Sequence, residues 1–149
     1  MGIKCFMIEP VYGDPIPEEA RSGKYSTGWP PFNYILRWRR PDTGEEYESC
    51  SDFGVGAMWR AIWYWKNLTW DDETEPHLIV ACPTRDWDID SRCLNCGLPE
   101  DKVHRCWVRH GEPPNITVDK AGVTCSAGAG SIALPAWHGF LRKGELVSV

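Results

Sequence analysis

Gly56-Ala57-Met58-Trp59-Arg60-Ala61-Ile62-Trp63-Tyr64-Trp65-Lys66-Asn67-Leu68 is the stretch on which the fold class turns. Read with a period of 3.6, Arg60, Tyr64 and Asn67 stand at i, i+4 and i+7 and make a polar stripe. Met58, Ile62 and Trp65 lie largely opposite, flanked by Trp59 and Trp63. Ser51 or Asp52 supplies a side chain for the N-cap. The spacing predicts a helix over 56–68 that packs across a sheet. It holds more aromatic residues than a half-buried helix needs, so one aromatic edge is left over. An aromatic ligand platform is the sharper use for that edge.

Outward from this segment the chain reads as short strands. Residues 3–12 (IKCFMIEPVY) are an apolar run of strand type. Residues 13–33 are dense in Gly and Pro and read as a loop pinned by Tyr25, Trp29 and Phe32. Tyr34 to Arg40 and Glu45 to Glu48 form the arms of a hairpin around Pro41-Asp42-Thr43-Gly44, which is good turn chemistry. Beyond the helix, Asp71 to Glu75 and Pro76 make an acidic surface loop, and His77 to Ala81 a buried strand. Residues 85–90 alternate, with Trp87 and Ile89 on one side and Asp86, Asp88 and Asp90 on the other. Those carboxylates suggest a cation site, but a calcium loop fails: Ser91 stands where Gly is needed and Gly97 where the closing Glu belongs. A solvated face balanced by Arg85 and Arg92 is the simpler reading. Further strands fall at 103–109, 115–119, 131–134 and 137–148, the last turning at Arg142-Lys143-Gly144. The expected class is α+β: a mostly antiparallel β-sheet domain with one main aromatic-rich helix.

The 149 residues suit a single domain over 1–149, long enough to bury a real core. Hydrophobic residues make up 42% and charged residues 25%, which excludes a disordered or fibrous chain. No apolar run approaches ~18 residues, so no membrane partner is expected. The opening MGIKCFMIEPVYGDP lacks a basic region followed by an apolar stretch, so no secretory signal is expected there. A net charge of −5 argues against nucleic acid as a partner. The run Arg37-Trp38-Arg39-Arg40 is read as a solvated strand face. Seven cysteines, an odd count, fit a cytoplasmic protein better than a disulfide framework. The sequons at Asn67 and Asn115 are then chance matches.

The chemistry is concentrated in residues 93–106. Cys93-x2-Cys96 can form a knuckle that presents two thiolates. His104 and Cys106, at i and i+2 of a strand, project to one side. Three sulfurs and one nitrogen make a tetrahedral set of the kind zinc favours. The seven residues between Cys96 and His104 are fewer than the usual ~12–20 between zinc half-sites. Reduced buried cysteines and a catalytic Cys–His pair are the competing readings. For the latter His104, His138 and Cys106 are the candidates. A zinc deaminase fails on order, because His110-Gly111-Glu112 follows the CxxC and Arg92 stands in place of Pro. No HExxH, GxSxG or Walker motif occurs. Ala127-Gly128-Ala129-Gly130-Ser131 leads into a strand, so it lacks the helix N-terminus of a phosphate cradle. Cys125 before it and His138 after it can fold back toward the knuckle, with Cys125 replacing Cys93 or with Cys125 and His138 forming a second polar centre.

Several segments of the second half carry a resemblance: Asp88-Ile89-Asp90-Ser91-Arg92, Asn95-Cys96, HRCWVRHG at 104–111, VDKAGVTCSAGAGSI at 118–132 and WHGFLRKGEL at 137–146. With Asp52-Phe53-Gly54 and Gly56-Ala57-Met58-Trp59 they span roughly two-thirds of the chain. The sequence resembles a group of small proteins encoded by actinobacterial phages, a group with no established activity. Some of its members bear an ammonia monooxygenase label, for which this chain offers neither a membrane span nor a copper constellation. The ending is also similar to a bacterial domain of unknown function found beside ubiquitin-like conjugation enzymes. In the phage group's pattern Cys96, His104, Cys106, Cys125 and His138 belong, whereas the residue matching Cys93 is often Ala. The resemblance therefore shifts weight to Cys96, His104, Cys106 and Cys125, with Asp90 and Arg92 as partners behind the ligands, or to no metal at all.

The resulting expectation is a cytoplasmic phage-type accessory protein, with zinc as a candidate cofactor and a host or phage protein as partner. The surplus of Trp residues suits an interface core. Two alternatives stand beside it: a Cys/His- or metal-dependent hydrolase, and a virion component.

Overall fold

A computed structural model describes residues 2–20, 32–62, 76–91, 107–120 and 130–149. It is mostly β, and the only helices among these residues are 3-10 turns of three residues, Glu18–Ala20 and Cys50–Asp52. The expected α+β class with one main helix is therefore wrong. Ala57–Arg60 is a strand, and residues 63–68 of the expected helix lie outside the described residues. The physical reason is double-sided burial. Ala57, Met58 and Trp59 are all buried, yet Met58 points into one core while Ala57 and Trp59 point into another. A strand apolar on both faces shows no period of two, so it can imitate one face of a helix.

Four sheets are built from the described strands. The first orders β1 (Ile3–Lys4), β13 (Glu145–Ser148), β12 (Trp137–Arg142) and β11 (Ile132–Leu134). The central sheet orders β2 (Phe6–Met7), β6 (Ala57–Arg60), β7 (Leu78–Ala81) and β8 (Asp86–Asp88). The third orders β3 (Glu9–Pro15), β4 (Asn33–Arg39) and β5 (Glu46–Tyr47). The fourth pairs β9 (Trp107–His110) with β10 (Thr117–Lys120). Every pairing is antiparallel except β2 with β6.

One run of chain, residues 3–15, takes part in three of these sheets. β1 pairs with β13, and the Cys5 N–H then donates to the Gly144 carbonyl. β2 joins β6, where the Ile8 N–H reaches the Met58 carbonyl at 2.9 Å. β3 continues against β4.

The central sheet is covered on both sides. One core gathers Met58, Leu78, Val80, Trp87 and Ile89 with Ile116, Ile132, Leu141 and Leu146 from the outer sheets. The other gathers Trp59, Ile79 and Ala81 with Ile8, Trp38 and Phe53. Phe53 is its hub, edge-on to Trp38, Tyr47 and Trp59 with centroids 5.1–5.5 Å apart. Such aromatic pairs add to stability beyond their buried area.

The turns follow local chemistry. Gly44 sits at φ 78, where the Pro41-Asp42-Thr43-Gly44 turn needs a left-handed residue. Lys143 and Gly144, both at positive φ, form the two-residue loop between Arg142 and Glu145.

Candidate functional site

A largely buried group of titratable side chains lies at one end of the central sheet. β7 and β8 run antiparallel, with Ile79 opposite Asp88. This register sets His77 and Asp88 on the same side of the sheet. His77 is 1% exposed, and its Nδ1 lies 2.6 Å from Asp88 Oδ2. An ionised carboxylate only accepts, so Nδ1 carries the proton in this pair. In the neutral ring the basic lone pair is then on Nε2.

Asp88 and Asp90 bind the strand ends together. Asp88 Oδ1 accepts the Asp90 N–H at 2.9 Å. Asp90 Oδ2 accepts the Leu78 N–H at 2.9 Å, which extends the β7–β8 ladder by one side-chain rung. Asp90 Oδ1 lies 3.3 Å from Nε of Arg109, on β9. Trp87 packs edge-on against Trp107 with centroids 5.2 Å apart. The Asp90–Arg109 pair and the Trp87–Trp107 contact thus tie the 86–90 segment to β9 at two points.

The expected alternation of 85–90 is present, with Trp87 and Ile89 buried. Two of its carboxylates have partners among the described residues, Asp88 on His77 and Asp90 on Arg109, while Arg92 of the expected balancing pair lies outside the described residues. Among the described residues no group of three His, Cys, Asp or Glu side chains could hold a metal.

Of the expected site residues, Asp90 and His138 are described. His138 is an exposed residue of β12 opposite Ala133, in a different sheet from the β7–β8 pair beside His77. Cys93, Cys96, His104, Cys106, Cys125 and Arg92 lie outside the described residues. His77 and Arg109 were missed by the sequence reading. The available signal was a histidine heading an apolar strand, followed closely by an Asp-x-Asp-x-Asp alternation.

The basic run is neutralised locally. Arg39 meets Glu9 at 2.8 Å, Arg37 pairs with Glu46, and Arg40 pairs with Asp42 at 2.6 Å while stacking on the Phe6 ring. Trp38 between them is buried.

Cys5 and Cys82 are buried core residues, and Cys50 is half-buried against the second core. Burial pushes both core thiols from an ordinary value of 9.0 up to about 12. The register places them in one row on either side of Gly56. Two sheet spacings of ~4.8 Å exceed the reach of a disulfide. An acid whose folded value is raised costs the fold nothing below pH 9.0, and it erodes stability as pH climbs from there toward 12. Cys5→Ala and Cys82→Ala together are expected to flatten that alkaline loss in denaturation curves. In the native wild type, peptide mapping after brief alkylation is expected to find both thiols unlabelled. An unchanged alkaline slope in the double variant would refute the assignment.

Comparison with protein families, curated proteins and solved structures finds no match. Among the described residues no helix is long and apolar enough to cross a membrane.

Proposed function

We propose that the chain is a phage-type accessory protein of the host cytoplasm, acting by contact with a host or phage protein and carrying a structural zinc on its 92–106 segment. What supports the zinc is the closeness of the segment's two feet. The side chains of Asp90 and Arg109 meet at 3.3 Å, and Trp87 and Trp107 touch at 5.2 Å between centroids. A segment that leaves and returns at one place has its ends joined by the fold, so much of its loop-closure entropy is already lost. Four ligands drawn from it need less further ordering to converge on one ion. Cys93, Cys96, His104 and Cys106 are the proposed set, with Cys125 in place of Cys93 as the variant form. Asp90 acts by fixing one foot.

Elemental analysis of purified protein tests this directly. One zinc per chain is expected, together with a lower melting temperature after chelation. Cys93→Ser and Cys125→Ser then separate the two ligand sets, because only the true fourth ligand lowers zinc content. Metal-free protein with melting indifferent to chelator would sink the zinc assignment.

A further inference from the structure

We draw no further inference here: the strongest candidate, the polar cluster of His77, Asp88, Asp90 and Arg109 at one end of the central sheet, belongs to the site already described, and the bonds that Asp88 and Asp90 make in it join the strands to one another.

Discussion

Trp59→Ala is expected to destabilise the protein by about 3–5 kcal/mol, enough to leave a small domain partly unfolded at room temperature. Trp59 is 2% exposed, and its ring stands edge-on to Phe53 at 5.1 Å. Truncation removes that contact and opens a hole under Ala57, Ala61 and Ile79 in the second core. The small neighbours have too few atoms to fill it, so the cavity contribution adds to the lost burial. Urea denaturation followed by far-UV circular dichroism measures the shift. Leu36→Ala is the matched comparison. Its side chain is 60% exposed, and the expected change stays within about 0.5 kcal/mol. Equal losses for the two variants would mean that the second core is not where Trp59 resides.

Gly139→Val is expected to cost about 3 kcal/mol or more for a different reason. Gly139 lies in β12, and a Cβ added there would stand 2.4 Å from the Val147 carbonyl oxygen and 2.4 Å from Cζ2 of Trp137. The tryptophan ring covers the glycine, and its Nε1–H donates to Ser148 Oγ at 3.0 Å. A ring could swing aside, but the carbonyl belongs to the β12–β13 ladder and moves only if the ladder opens. Trp137→Ala in the Gly139→Val background is therefore expected to recover only part of the loss. Thermal melts of the single and double variants check this. Full recovery would place the whole conflict on the ring.

Strands announced by turn chemistry were legible in the sequence. Pro41-Asp42-Thr43-Gly44 marked the β4–β5 hairpin, and Arg142-Lys143-Gly144 marked β12–β13. Residues 85–90 were legible because one face is apolar and the other carries acids. Ala57–Arg60 was not. Its polarity cue, Arg60, sends its Nη1 to the Pro76 carbonyl at 3.1 Å rather than marking a solvent stripe. The flanking apolar residues divide between two cores, and no one-dimensional pattern distinguishes that from a helix face. For the site, Asp88 and Asp90 stood out while their partners did not. His77 and Arg109 are brought to them by pairings across 11 and 19 positions of sequence. The described Trp residues have structural roles: Trp38, Trp59 and Trp87 are core residues, and Trp107 and Trp137 pack against the first core, while Trp63 and Trp65 of the expected aromatic edge lie outside the described residues.

The run through three sheets bears on how the chain is made. Ile3 and Lys4 are made well before their partners Leu146 and Glu145. Phe6 and Met7 wait for Ala57 and Met58, and Glu9 waits for Arg39. During synthesis the N-terminal strand can therefore zip only from its far end, toward β4 first, then β6. The first sheet closes only once translation has delivered β13. Until then one edge of the first core stays open to water, an edge on which partly made chains can pair with their neighbours.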